Sequence, residues 1–105
     1  MFHVTSSRNR ESLFAHGLDW RLMGVSCGIT GSDAPVQAGC FLCIDETEVN
    51  WFVRTNNTGG PVDVWEVDGV GVQELVRSPE GHWYLPTTVP PARLKLVHAD
   101  VPPPR

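Results

Sequence analysis

The order of apolar patterns along the chain predicts a small α+β domain with two short helices and a mixed or antiparallel split sheet. A strand, a helix, a long Gly-rich segment, a second strand and a second helix come first, and several strands follow. No Gly-x-Gly-x-x-Gly run follows a strand, so a doubly wound dinucleotide-binding fold is not indicated. The 105 residues fit one domain, which we expect to span residues 1–100 and to be followed by a proline-rich tail at 101–105.

The N-terminal part of the chain predicts a strand, a capped helix and a long loop. Residues 1–5 alternate between apolar and polar side chains, which indicates a strand. Ser6 or Ser7 can cap a helix over residues 8–16, and Gly17 ends it. Residues 24–37 are rich in Gly, Ser, Asp and Pro and have no periodicity, so we expect a long loop there. Such loops are often functional, although a plain surface excursion is an equal alternative.

The middle of the chain predicts two further strands around a second helix. The continuous apolar run at 39–44 indicates a buried strand. Asp45 and Glu48 have the spacing of a capping box, which predicts a helix over residues 46–54. Residues 62–67 alternate and predict a third strand.

The C-terminal third predicts short strands separated by turns. Strand patterns occupy residues 72–77, 82–85 and 93–98, and residues 78–81 (Ser-Pro-Glu-Gly) are typical of a turn. The tryptophans Trp51, Trp65 and Trp83 are expected mainly in the core.

Charge and composition restrict the partners of the chain. The formal net charge is −4 and no run of Lys or Arg occurs, which argues against general binding of duplex nucleic acid. No apolar run reaches the length of a membrane-spanning helix, so we expect no membrane partner. The first 20 residues lack the apolar core of a signal peptide, and a cytoplasmic location is the expectation.

The three cysteines predict neither a disulfide framework nor a metal site. Cys40 and Cys43 form a Cys-x-x-Cys pair within a strand pattern, where positions i and i+3 point to opposite faces. A structural zinc site needs two more ligands, and no second paired motif is present. We therefore expect buried free thiols and no metal, with Cys27 as the odd cysteine.

Three motifs in order resemble those of the ADP-ribosyltransferase superfamily. The first is Phe-His-Val-Thr-Ser at residues 2–6, followed by a helix and by His-Gly-Leu at 16–18. The second is the strand at 41–45 before a helix with an aromatic at Trp51 or Phe52. The third covers residues 82–94 and also resembles the RNA 2′-phosphotransferases of that superfamily. The resemblance implies an ADP-ribosyltransferase-like fold with NAD as substrate.

The resemblance assigns the NAD-binding roles to residues of the first two motifs. His3 would hydrogen-bond a ribose hydroxyl of NAD, and the backbone of Val4 would meet the nicotinamide carboxamide. Thr5 and Ser6 would place hydroxyls near the dinucleotide. Phe41 would stack on the nicotinamide ring, and the resemblance thereby implies a cleft headed by His3.

Further site positions follow from the second and third motifs and from the first helical turn. Phe52 is the second aromatic expected at the cofactor, and Glu80 and His82 are the candidates for the third catalytic position. Cations in a first helical turn oppose the helix dipole, so Arg8 and Arg10 either face an anion such as pyrophosphate or lie on a solvated helix face.

The function that the resemblance implies is NAD-dependent mono-ADP-ribosyl transfer, a glycosyl transfer to an acceptor. The acceptor can be a protein, a nucleic acid or a small molecule. Two alternatives remain: a non-catalytic module of the same fold that binds NAD or ADP-ribose, and an enzyme like the RNA 2′-phosphotransferases.

Overall fold

Strand β1 (Phe2–Ser6) begins the chain and pairs along its whole length with the central strand β3 (Val62–Val67). In the computed structural model, the described residues are 1–19, 40–55, 60–79 and 81–102. They form two helices, α1 (Arg10–His16) and α2 (Glu46–Arg54). The remaining strands are β2 (Cys40–Phe41), β4 (Val76–Arg77), β5 (Trp83–Leu85) and β6 (Leu94–Val101).

The strands form two small sheets that meet at one point. One sheet has the order β1-β3-β6 and the other the order β2-β5-β4, and the strand pairs in both are antiparallel. Phe2 and Cys43 join the sheets, because the backbone N–H of each donates to the carbonyl of the other, at 2.8 and 2.7 Å. The described residues therefore confirm a small α+β domain with two short helices and two antiparallel sheets.

Helix α2 starts with the side-chain cap that the sequence predicts, whereas α1 begins at Arg10 without a side-chain cap. Asp45 accepts a hydrogen bond from the Glu48 backbone N–H at 2.9 Å, and α2 has the predicted bounds. Ser6 accepts from the Arg8 N–H at 3.2 Å, but this cap starts a short 3-10 turn at Ser7–Asn9. The predicted helix over 8–16 is therefore divided, and its α-helical part begins at Arg10.

Gly17 ends α1 and brings the first and third motifs together. Its φ is +75°, and a Cβ there would lie 1.9 Å from the Val89 carbonyl oxygen, so only glycine fits. The next residue, Leu18, exchanges two backbone hydrogen bonds with Val89, at 2.9 and 3.0 Å. The third motif is thereby fixed against the end of α1.

Alternation along β1 and β3 gives the three-stranded sheet two different faces. Trp65 lies in one buried cluster with Leu13 of α1, and we call this side the α1 face. Val4 and Val64 lie in a second cluster with Phe52 of α2, and we call this side the α2 face. His3 lies directly opposite Trp65 in the strand register and shares the α1 face with it.

Two predicted strands are much shorter than expected, and β6 is longer. Residues 72–77 contain a 3-10 turn at Val72–Glu74, where the Glu74 side chain accepts from the Gly71 N–H at 2.7 Å, so a local cap replaces half of the strand. The run at 39–44 contributes only β2, because the chain changes its partner from β5 to β1 at Cys43. β6 includes Val101, the first residue of the predicted tail. The loop predicted over 24–37 lies outside the described residues.

Candidate functional site

His3 is a fully buried, neutral histidine with one fixed ring nitrogen. Its side chain is 0% exposed, and its Nδ1 lies 2.8 Å from the Phe41 carbonyl oxygen. A carbonyl only accepts, so Nδ1 carries the proton and donates it. Burial lowers the pKa of His3 to about 4, although the hydrogen bond to Phe41 acts in the opposite direction. The other nitrogen, Nε2, is therefore an unprotonated acceptor at neutral pH.

The cross-strand neighbour of His3 carries a hydrogen-bond donor that also lacks a partner. Among the described residues, the buried side-chain nitrogen and oxygen atoms that lack a hydrogen-bond partner are His3 Nε2 and Trp65 Nε1. The indole N–H can only donate, so the two atoms have complementary roles. Trp65 is in the core, as predicted, but its N–H was not identified as part of a site. Its position opposite His3 could be recognised only from the register of β1 with β3.

The rest of the α1 face buries polar groups that are hydrogen-bonded within the chain. Asp63 is 0% exposed, and its carboxylate accepts from the Arg10 guanidinium at 2.7 and 2.8 Å. It also accepts from the Ser7 hydroxyl at 2.7 Å and from the Asp100 backbone N–H at 2.9 Å. Burial acts to raise the pKa of Asp63, but these hydrogen bonds outweigh it and hold the pKa below its usual value.

Arg10, a cation of the predicted first helical turn, is bound by carboxylates of the chain itself. Arg10 binds Asp63 and also contacts the Asp100 carboxylate at 2.9 Å, so an internal anion satisfies its guanidinium. In this arrangement the anions that Arg10 faces are the Asp63 and Asp100 carboxylates, and a contact with pyrophosphate stays a prediction. Sequence reasoning missed Asp63, since an acidic residue in an alternating strand is typically exposed.

The other residues predicted from the first motif occupy different environments. Val4 is buried on the α2 face opposite Val64, within the paired backbone of β1. Thr5 is buried on the α1 face, and its hydroxyl accepts from the Asn9 side chain at 2.9 Å. Ser6 is half-buried and acts as a helix cap, and Arg8 is exposed.

The aromatic residues of the second and third motifs come together beside α2. His82 lies 4.7 Å from the Trp51 ring, 5.3 Å from the Phe52 ring and 6.0 Å from the Phe41 ring, measured between ring centroids. Tyr84 lies 6.2 Å from Phe41. Trp51 is 37% exposed, so the expectation that it lies in the core is wrong, because one side of this cluster is open to solvent. Glu80, the other candidate for the third catalytic position, lies outside the described residues.

Phe41 connects these two groups of predicted residues. Its carbonyl fixes His3, while its ring lies in the buried cluster of the α2 face. The structure therefore unites Phe41, Phe52 and His82 in one aromatic cluster and places the His3 ring on the opposite face. The α1 face can recognise a hydroxyl group, and the aromatic cluster can stack on a planar ring.

The two cysteines of the Cys-x-x-Cys pair are buried on opposite sides. Both are free thiols, with Cys40 in the cluster of the α1 face and Cys43 in that of the α2 face, as predicted. Burial, together with the nearby Glu48 and Asp45 carboxylates, raises the pKa of Cys43 to about 12. In the described ranges, no three His, Cys, Asp or Glu side chains are grouped as a metal site would require. Cys27 lies outside them.

An open groove of about 590 Å³ lies between α2 and the three-stranded sheet. Its floor is apolar and includes Val53, Val64 and Val97, and its rim includes Glu46 and Glu66. Because it opens on the α2 face, it is separate from His3.

Comparisons of the chain with protein-family models, curated proteins and solved structures found no match. The resemblance to ADP-ribosyltransferases therefore rests on the three motifs. No helix in the described part of the chain is long and apolar enough to cross a membrane.

Proposed function

We propose that the chain is an NAD-dependent mono-ADP-ribosyltransferase in which His3 accepts a hydrogen bond from a ribose hydroxyl of NAD. The observation that carries this proposal is the state of His3: its ring is neutral, Nδ1 is fixed by Phe41, and buried Nε2 has no partner among the described residues. A buried polar atom without a partner costs about 1 to 3 kcal/mol. A ligand hydroxyl would remove that cost, which supports a binding role.

The reaction would be a displacement at the ribose carbon that carries nicotinamide. The bond from that carbon to the nicotinamide nitrogen breaks, and nicotinamide leaves with the electron pair. A nucleophile of the acceptor attacks the same carbon from the opposite side, forms a bond to it and releases its proton to water. His3 would hold the ribose in position for this attack, so its contribution is orientation and not covalent chemistry.

The burial of His3 requires local movement before a ligand can bind. Phe14 of α1 is 59% exposed, and its ring lies edge-on to the buried Trp65 ring, with 5.0 Å between centroids. Displacement of the Phe14 ring could therefore open the α1 face beside Trp65.

A second candidate function is a non-catalytic module that binds NAD or ADP-ribose. The favouring observation is that Asp63, the one fully buried carboxylate among the described residues, is fully engaged by Arg10, Ser7 and Asp100. It cannot polarise a substrate without losing these bonds.

Thermal unfolding with increasing NAD tests the binding step. At 100 times the dissociation constant, NAD should stabilise the wild type by about 2.7 kcal/mol. His3→Asn retains an amide N–H for the Phe41 carbonyl but lacks an atom at the position of Nε2, so it should lose most of the shift. His98→Ala, at an exposed histidine of β6, is the matched control and should keep it. An unshifted wild type at millimolar NAD would refute the proposal.

Release of nicotinamide separates the two functions. An enzyme releases nicotinamide from NAD as it transfers the ADP-ribosyl group, slowly to water or faster to an acceptor, and His3→Asn should lower that rate. A module that binds NAD but releases no nicotinamide under any condition would support the second function instead.

A further inference from the structure

The two unpartnered ring nitrogens of the α1 face belong to directly opposed residues of neighbouring strands. His3 and Trp65 are register partners of β1 and β3, and both side chains are buried, at 0% and 1% exposure. In the part of the chain that the structure describes, the other buried side-chain polar atoms have hydrogen bonds. The two atoms without a partner therefore belong to one cross-strand pair, in a core whose other polar groups are satisfied.

The chemistry of the pair selects one kind of group. Trp65 Nε1 only donates, and neutral His3 Nε2 only accepts. A hydroxyl does both, because its oxygen accepts while its hydrogen is donated. A carbonyl or carboxylate would meet the lone pair of His3 with another lone pair, and an ammonium would meet the indole N–H with a further donor.

We propose that Trp65 and His3 together hold one sugar hydroxyl of the ligand, with Trp65 donating to its oxygen and His3 accepting its hydrogen. This inference rests on the proposed function and adds Trp65 as a second binding residue at the ribose. It also states the specificity of the site: an alcohol group is bound, and an analogue without that hydroxyl leaves both nitrogens unpaired. A water molecule has the same hydrogen-bonding capacity, so the test must separate the two sources.

The direct test removes the indole N–H without changing the shape of the side chain. Trp65 is replaced by 3-benzothienylalanine, which has sulfur in place of the N–H group. NAD affinity is measured by calorimetry for this protein, for wild type and for His3→Asn. Loss of one neutral hydrogen bond should weaken NAD binding about 3- to 10-fold. The same replacement at Trp83, which contacts Arg77 in the other sheet, is the matched control and should leave the affinity unchanged.

Deoxy analogues of NAD identify the source of the hydroxyl. Analogues that lack the 2′- or the 3′-hydroxyl of the nicotinamide ribose are titrated against the same proteins. One analogue should bind wild type and the Trp65 replacement equally, because the group that distinguishes the two proteins is gone.

The outcomes separate this inference from the proposed function. If NAD binding depends on His3 but is unaffected at Trp65, the role of Trp65 is overturned while the proposed function stands. If both analogues weaken by the same factor as NAD on Trp65 replacement, the hydroxyl belongs to a water molecule and the inference is overturned. If wild type does not bind NAD, the proposed function itself fails.

Discussion

The two faces of the β1-β3-β6 sheet are built from different chemistry. The α2 face buries valines and phenylalanine, and such burial contributes about 25 cal/mol per Å² of apolar surface. The α1 face buries His3, Thr5 and Asp63 as well as Trp65, and burying polar groups costs free energy unless each finds a partner. The contrast shows that the α2 face is suited to stability. The α1 face instead retains two buried nitrogens without a hydrogen-bond partner, one on His3 and one on Trp65.

Phe52→Ala tests the α2 face and should give the largest effect. Phe52 is 4% exposed and contacts the rings of Phe41, Trp51 and His82, so truncation leaves a cavity. We expect a loss of about 3 to 5 kcal/mol in the free energy of unfolding, measured by urea denaturation. Val72→Ala, at a residue 53% exposed, should change it by less than about 0.5 kcal/mol. A similarly small loss for Phe52→Ala would contradict the view that the α2 face stabilises the fold.

Asp63→Asn tests the satisfied part of the α1 face. The substitution keeps the side-chain shape but removes the charge that Arg10 binds, so we expect a loss of about 2 to 4 kcal/mol at pH 7. Because the folded pKa of Asp63 is below its usual value, this contribution is complete above about pH 5 and is lost as the pH falls through the folded pKa. Glu66→Gln, at an exposed residue of the same strand, is the control. Equal losses for the two variants would show that the hydrogen bonds of Asp63 add nothing to stability beyond the removal of one charge.

The pH dependence of stability tests the unsatisfied part of the same face. His3 has a pKa of about 4 when folded and its ordinary value of 6.5 when unfolded, so protons favour the unfolded chain between these values. The stability is complete above about pH 7 and should fall by about 3 kcal/mol as the pH is lowered to 4. His3→Asn should lack this component when denaturation curves are compared across that range. Parallel pH profiles for the two proteins would contradict a buried, neutral His3.

Local sequence signals predicted the elements that depend on neighbouring residues. The alternation at Val62–Val67 and the Asp45 cap before Glu46–Arg54 gave strand and helix with their observed bounds. The extents of β2 and β4 were wrong because strand pairing at these positions depends on distant segments. At β2, the chain exchanges its partner β5 for β1 within three residues, and no local pattern contains that information.

The residues of the candidate site also divide into those that local motifs predict and those that depend on distant segments. His3 and Phe41 could be selected from motifs, and their hydrogen bond joins residues 38 positions apart. The donor of Trp65 and the carboxylate of Asp63 could not be selected, because their significance arises from the register of β3 against β1 and from Arg10 in α1. An alternating pattern predicts a strand but does not reveal which polar residue a distant cation allows to be buried.

Asp45→Ala tests the N-terminal cap of α2, which neighbouring residues alone predict, and should give the smallest effect on stability. Asp45 is exposed, and its carboxylate caps α2 by accepting from the Glu48 N–H at 2.9 Å. Loss of the cap should cost about 1 kcal/mol in urea denaturation. Thr47→Ala, in the same helical turn but without a capping role, should change stability by less than about 0.5 kcal/mol. A loss at Asp45 as large as that at Phe52 would mean that the cap, and not the apolar contacts of the α2 face, holds the helix against the sheet. The larger loss expected for Phe52→Ala instead indicates that Phe52 holds α2 against the sheet, whereas Asp45 only fixes the residue at which the helix begins.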